Sequence, residues 1–268
     1  MVGHDGPVPT GRYVHLDPHG GTPVAVEEFS CASGAAGWRY VSTVRDPGGG
    51  EMGRVDVTLD GGGRQVRVEL AAGGWRLRGG VAGGETVWVR VPDTGRPVAE
   101  PGGYARVSGA GEVPAAGGAG EVPAAGGVGA VPAAGGVGAV PGGDPGPGRS
   151  EAGGAVGVER SARAAGLTGR SPAFLVATAR LLRLSAGARA RVRLVAVTEP
   201  VLGTRLVDED WSLVTVATHP TETVPLPVTR YDVADLATGE LRVVHIAGDV
   251  VVAAPALELD ALHSPPNL

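Results

Sequence analysis

The first group of residues that could do chemistry is an H-x-D-x-H string made of His15, Asp17 and His19. In an extended chain these side chains would share one side, and zinc sites use His and carboxylate ligands. A catalytic zinc site also needs a further ligand and a rigid platform, whereas this string stands beside Gly and Pro residues. We therefore favour a solvated turn over a metal site, and we predict no metal and no cofactor.

Two residues could act as nucleophiles. Residues 169–173 read G-R-S-P-A, which is similar to the G-x-S-x-G nucleophile elbow around Ser171. That motif needs a buried strand before the serine, and residues 163–168 do not predict one. We interpret Ser171 as the N-cap of a helix. Cys31 has no obvious activating neighbour, so we predict a small buried thiol rather than a nucleophile.

The remaining polar candidates have structural explanations. His245 stands in the apolar run V-V-H-I, which is typical of a hydrogen-bonded structural histidine. The acidic residues 208–210 could hold a cation, but a solvated turn before Trp211 explains them as well. The chain has no lysine, so it has no G-x-x-x-x-G-K-[ST] phosphate loop. We predict no catalytic residue, and an enzyme remains only an alternative.

The elements that would position a site fall on both sides of a repetitive segment. Residues 109–143 repeat a unit of the form GAGEVPAAG, which carries too little apolar area to offset the entropy of ordering. We predict a long disordered Gly/Pro-rich insertion over residues 92–160. The chain as a whole holds 47 Gly and 22 Pro in 268 residues.

Apolar residues alternate with polar ones in both flanking segments, which indicates strands with one buried face. The predicted strands cover residues 23–30, 38–45, 54–60, 64–70, 75–78, 87–91, 191–197, 211–216, 231–236, 240–246 and 250–255. Short Gly-rich connectors between them suit hairpins. Residues 172–184 predict one short helix after Ser171 and Pro172, with a stop at Gly187, although two buried strand pieces would also fit.

These patterns predict a mainly β protein. Neither half carries enough large side chains to stand alone, so we expect one antiparallel curled sheet, a β-roll or half-barrel, built from both halves. The expected organisation is a flexible N-terminus (1–20), a first β-half (21–91), the insertion (92–160), a second β-half with the helix (161–262) and a flexible C-terminus (263–268).

Composition excludes several partners. The formal net charge is −5 and the arginines are scattered, which disfavours nucleic-acid binding. No apolar run reaches the length of a transmembrane segment. The single cysteine, Cys31, forms no internal disulfide, so we expect a cytoplasmic protein of unpredicted oligomeric state.

The order of these features resembles the glycolipid-binding family of bacterial proteins, whose fold is a spiral or curled β-roll. The matching pieces are Trp75-Arg76-Leu77-Arg78-Gly79, residues 179–184 with Gly187, residues 199–202, and residues 248–251 followed by 254–257. The family normally has an aromatic residue before the closing proline, where this chain has Ala254.

The resemblance implies binding without turnover of a hydrophobic or lipid-like ligand in the concave face of the roll. The alternation of apolar and polar residues along the strands indicates which side chains would line this face, namely Trp75, Leu77, Val87, Val89, Leu194, Val195 and Trp211. It offers Arg76, Arg78 and Arg180 as rim residues that would meet an anionic head group. We name Trp75, Leu77, Arg76, Arg78, Arg180 and Trp211 as ligand-binding candidates, and for each of them a place in the core or on the solvated surface is the alternative. A protein-interaction scaffold is the other alternative.

Overall fold

The structure, a computed structural model, describes residues 8–34, 36–93, 157–221 and 225–268. These contain one helix and 15 strands. The first-half strands are β1 (Thr10–Leu16), β2 (Pro23–Gly34), β3 (Gly37–Arg45), β4 (Glu51–Asp60), β5 (Gln65–Ala72), β6 (Trp75–Ala82) and β7 (Glu85–Pro92). The later elements are β8 (Val158–Ala162), β9 (Leu167–Thr168), α1 (Pro172–Leu182), β10 (Arg189–Thr198), β11 (Gly203–His219), β12 (Leu226–Asp235), β13 (Leu241–Ala247), β14 (Val250–Ala254) and β15 (Leu257–Leu262).

All the strands belong to one sheet, as the fold prediction requires. Its order is β8-β7-β6-β5-β4-β3-β2-β1-β15-β14-β13-β12-β11-β10-β9, and only the β9–β10 pair is parallel. The antiparallel pairing of β1 with β15 joins the two halves of the chain. Between β5 and β6, Gly73 and Gly74 both have positive φ, which explains the Gly-rich hairpin connector.

The sheet curls so that strands far apart in its order meet, although it does not close. Gln65 on β5 forms two hydrogen bonds with the backbone of Leu167 on β9. The Thr86 hydroxyl on β7 donates to the carbonyl of Ala164, just before β9, at 2.9 Å. These contacts confirm that one curled sheet is built from both halves.

Helix α1 packs against the inside of this curl. Ser171 is its N-cap and Pro172 its first residue, and it ends at Arg183, whose φ of 46° places it in the left-handed region. The helix therefore ends before the predicted stop at Gly187. Most of its residues are buried, and the helix contacts β4, β9 and β14.

Stacked aromatic rings extend across β1, β2 and β3 in the core. The ring centroids of Tyr13 and Phe29 are 4.8 Å apart, and those of Phe29 and Tyr40 are 5.6 Å apart. A Cβ atom at Gly11 would approach the Phe29 ring to 2.7 Å, so this position has no space for a side chain. The aromatic residues come from alternate positions of neighbouring strands, as a period of two dictates.

The chain ends differ from the predicted organisation. Residues 1–20 were expected to be flexible, but they contain β1, which pairs with both β2 and β15. Residues 263–268 were also expected to be flexible, but the Asn267 amide donates to the buried Asp249 carboxylate at 2.7 Å. Strand β8 begins inside the predicted insertion, and the repeats at 109–143 lie outside the described residues.

Candidate functional site

The most concentrated polar chemistry in the described part of the chain surrounds Glu27, whose side chain is fully buried. Its Oε2 atom lies 2.7 Å from Nε2 of His15. Its Oε1 atom accepts hydrogen bonds from three hydroxyl groups, those of Tyr40 at 2.9 Å, Ser42 at 2.7 Å and Ser171 at 2.6 Å. Both oxygens of a buried carboxyl group are thus satisfied by side chains.

Alternation along the strands brings these partners together. Glu27 shares the inward face of β2 with Ala25, Phe29 and Cys31, all of them buried. His15 follows Tyr13 at the same spacing on β1, and Ser42 follows Tyr40 on β3. Ser171 comes from the N-terminus of α1. The network therefore joins three neighbouring strands to the helix that packs inside the curl.

The hydrogen bonds indicate that Glu27 is ionised. Desolvation by burial alone would raise the pKa of this carboxyl group, but the hydrogen bond and charge of His15, with the hydroxyls of Ser171 and Ser42, lower it overall. An ionised carboxylate only accepts hydrogen bonds, so Nε2 of His15 carries the hydrogen between them. In the neutral imidazole, Nδ1 then keeps its lone pair.

A second carboxyl group, Glu199, experiences the charge of this network. It follows β10 at a position with exposed surface, yet desolvation by the surrounding protein, and then the negative charge of Glu27, raises its pKa above the ordinary value. The positive charges of Arg170 and His15 oppose that rise. The neutral form of Glu199 is thus favoured by the same network that keeps Glu27 charged.

His15 also lines a pocket of about 180 Å³, which we call the His15 pocket. Its other polar side chains are Arg170, before α1, and Arg242 on β13. The remaining wall consists of apolar side chains and backbone, from Gly169, Leu175, Val244, Ala254, Pro255, Ala256 and Leu257. The pocket therefore combines an apolar wall with two guanidinium groups and an imidazole.

The two arginines of the pocket differ in how their charge is balanced. The Arg242 guanidinium donates to Oε1 of Glu209 at 2.6 Å, and Glu209 also accepts from the indole of Trp211. Arg170 is exposed and forms no hydrogen bond or ion pair with the described residues. Arg170 is thus the cation best placed to meet an anionic group in the His15 pocket.

The sequence-predicted ligand residues do not line this pocket. Leu77 and Trp211 lie in the core, exposed by 0% and 1%. Trp75 is half-buried under the guanidinium of Arg90, which lies 4.4 Å from its ring centroid.

The predicted rim arginines already have partners elsewhere. Arg76 and Arg78 on β6 pair with Asp93 at 3.1 Å and with Glu69 at 3.3 Å. Arg180 on α1 lies over the Trp38 ring and donates to Ser33. The three arginines are therefore engaged with protein groups rather than gathered around one cavity.

Two expectations about polar residues need correction. The solvated turn predicted from His15 to His19 is wrong for His15, which is buried on β1 because it shares the inward face with Tyr13. The turn predicted at residues 208–210 is wrong as well, because these residues lie within β11, where Asp208 pairs with Arg193 on β10.

The expectations for Ser171 and Cys31 agree with the structure. Ser171 caps α1, since its Oγ accepts from the backbone of Ala173, and Cys31 is buried. Burial is the main cause that raises the pKa of the Cys31 thiol, which opposes formation of a thiolate. Among the described residues, no group of three or more His, Cys, Asp and Glu side chains is arranged to hold a metal ion.

Sequence reasoning missed Glu27 and the role of His15. The signal was present, because the alternation that predicts β2 places Glu27 at an inward position between Ala25 and Phe29.

Within the described ranges no helix has both the length and the apolar character needed to cross a membrane. Comparison with protein-family models, with curated protein sequences and with solved structures finds no significant match to this chain.

Proposed function

We propose that this protein binds a hydrophobic or lipid-like ligand that carries an anionic head group, and that the ligand occupies the His15 pocket. The observation that carries the proposal is the pairing of an apolar wall with Arg170, a cation that forms no hydrogen bond or ion pair with a described residue. A pocket that combines apolar walls with a few convergent polar groups is typical of small-molecule sites. We place this binding in the cytoplasm, a setting that suits a single buried cysteine.

The chemistry of the wall favours an acyl chain. Leu175, Val244 and Leu257 offer branched aliphatic surface, and each methylene group removed from water contributes about 0.8 kcal/mol. A carboxylate or phosphate head beside Arg170 would form charge-assisted hydrogen bonds. Arg242 contributes less, because Glu209 already balances its charge.

The size of the pocket limits the chain that it holds. Its volume of about 180 Å³ is below that of sites for drug-sized ligands, which span about 300–1,000 Å³. We therefore expect the pocket to enclose a short acyl chain or the end of a longer one. Beyond the enclosed length, added methylene groups should remain in water.

Calorimetric titration of delipidated protein with straight-chain carboxylates, from butanoate to dodecanoate, tests the proposal. Affinity should rise by roughly four-fold per methylene group and then level off once the pocket is full. Arg170→Gln should weaken every member of the series. Arg163→Gln, which alters a side chain that is 92% exposed, is the matched control and should bind like the wild type.

Two results would overturn the proposal. One is an affinity that does not depend on chain length, because the apolar wall would then not hold the chain. The other is equal binding by the Arg170→Gln and Arg163→Gln variants, because the head group would then not meet Arg170.

A further inference from the structure

We propose that His15 and Glu27 form a general-base pair that hydrolyses a carboxylic ester held in the His15 pocket, with water as the nucleophile. This inference rests on the proposed function, because the acyl chain of the ester would occupy the apolar wall described above. It goes beyond binding, since it assigns a reaction to the buried polar network.

The geometry of Glu27 suits the orientation of an imidazole. Three hydroxyl groups donate to Oε1, and among the described residues only the ring of His15 forms a hydrogen bond with Oε2, at 2.7 Å. Glu27 is fully buried, so water does not compete for this bond. A carboxylate that fixes the ring and tautomer of a histidine is the arrangement that general bases use.

The nitrogen of His15 that does not face Glu27 is Nδ1, and His15 lines the pocket. Nε2 carries the hydrogen that Glu27 accepts, so Nδ1 is the nitrogen that holds a lone pair whenever the ring is neutral. Nδ1 forms no hydrogen bond with a described residue, and His15 is one of the residues that line the pocket. A water molecule in the pocket is thus the group from which Nδ1 would remove a proton.

The reaction balances with water as the only co-reactant. The water oxygen bonds to the ester carbonyl carbon while its proton moves to Nδ1 of His15, and Glu27 stabilises the resulting imidazolium. The tetrahedral oxyanion is stabilised by the positive charges of Arg170 and Arg242, which line the same pocket. The carbon–oxygen bond to the leaving group then breaks, His15 returns the proton to that oxygen, and a carboxylic acid and an alcohol are released.

The hydroxyl groups that contact Glu27 and the Cys31 thiol do not serve as nucleophiles. Ser171 donates to Glu27 and accepts from the backbone of Ala173, so its hydroxyl is engaged on both sides. Desolvation by burial raises the pKa of Tyr40 and of Cys31, which keeps both protonated. Hydrolysis should therefore proceed without an acyl-enzyme and should resist phenylmethylsulfonyl fluoride, a reagent that inactivates serine esterases.

The test measures hydrolysis of 4-nitrophenyl octanoate by the full chain. His15→Gln should lower kcat/KM by about 100-fold or more, which is the range of general-base catalysis. His19→Gln is the matched control, because His19 lies in the exposed turn after β1. A surface imidazole can itself react with an activated ester, and this variant measures how much of the rate comes from that reaction. This variant should retain the wild-type rate, and imidazole added to His15→Ala should restore part of the lost activity.

A second variant keeps the test decisive if changes at His15 prevent folding. Arg170 is exposed, so Arg170→Gln should fold, and it should lower kcat/KM about tenfold relative to Arg163→Gln. Equal rates for wild type and a folded His15→Gln, or for the two arginine variants, would overturn the inference.

Octanoate calorimetry on the same samples separates this inference from the proposed function. If octanoate binds but the wild type hydrolyses the ester no faster than His15→Gln, the general-base assignment fails and the binding proposal stands. If octanoate does not bind the wild type, the proposed function fails whatever the hydrolysis rate.

Discussion

Gln65 and Leu167 are separated by 102 positions in the chain, yet the side-chain amide of the first forms two hydrogen bonds, at 2.8 and 2.7 Å, with the backbone of the second. Both residues are buried, and they belong to β5 and β9, which are distant in the order of the sheet. This contact joins β9, which precedes α1, to the first half of the sheet.

We predict that Gln65→Ala lowers the free energy of unfolding by about 2–4 kcal/mol, because a buried N–H and a buried carbonyl of Leu167 would both lose their partner. Urea denaturation measures this effect. Val66→Ala is the control on the same strand, since Val66 is 52% exposed, and it should change stability by less than about 0.5 kcal/mol. Equal effects of the two substitutions would contradict the role assigned to Gln65.

The ionisation of Glu27 should make the stability of the fold depend on pH. Burial alone would raise its pKa, but the hydrogen bond and charge of His15 outweigh burial and lower it below the ordinary value of 4.5. Its stabilising contribution is therefore present above that value and is lost as the pH falls through the lower folded-state pKa. Glu27→Gln should be less stable than the wild type near neutral pH, and the gap should narrow in acid.

Urea denaturation over a pH series measures that gap. Glu28→Gln is the matched control, because Glu28 lies on the opposite face of β2 with 58% of its side chain exposed. A gap between the wild type and Glu27→Gln that stays constant throughout the acid range would show that Glu27 is not ionised in the folded protein.

The ionisation of Glu199 should change the stability of the fold with pH in the opposite direction to that of Glu27. Desolvation and the charge of Glu27 raise its pKa, so its neutral form stabilises the fold below 4.5 and this contribution is lost as the pH rises through the raised value. Glu199→Gln should therefore unfold at a higher temperature than the wild type near neutral pH, with a smaller difference in acid. Glu240→Gln, in the exposed turn between β12 and β13, should show neither effect. A melting temperature for Glu199→Gln below that of the wild type at neutral pH would contradict this sign.

Filling the pocket should abolish ligand binding without unfolding the protein. Ala254 on β14 lines the His15 pocket, so Ala254→Phe would place a ring where the acyl chain is proposed to lie. We expect octanoate affinity to fall more than tenfold in calorimetry. The exposed neighbour Ala253 points to the other face of the strand, and Ala253→Phe should bind octanoate like the wild type. Unchanged binding by a folded Ala254→Phe would place the ligand elsewhere.

The curled sheet was predictable because alternation and Gly-rich turns act locally. The strands over 38–45 and 54–60, for example, occur where a period of two predicts them. Glu27 was predictable in the same way, since it stands at an inward position of its strand. The helix over 172–184 was one of two alternatives, and its proline start and serine cap agree with the structure.

The His15 pocket could not be predicted, because its walls come from parts of the chain that only the sheet order brings together. His15 lies on β1, Arg242 on β13 and Leu257 on β15, and the β1–β15 pairing decides that they are neighbours. No local pattern encodes that pairing. The ligand-binding residues predicted on β6, α1 and β11 assumed a trough in the concave face of the sheet, whereas the His15 pocket is lined by other residues.

Photoaffinity labelling tests the central claim, that the His15 pocket holds an acyl chain, most directly. The probe is octanoic acid with a diazirine near the end of the chain, and peptide mass spectrometry locates its adducts after irradiation. We expect adducts near Leu175, Val244 or Leu257 that unlabelled octanoate suppresses and Ala254→Phe removes. Adducts on β6 around Trp75, or labelling that octanoate does not suppress, would contradict it.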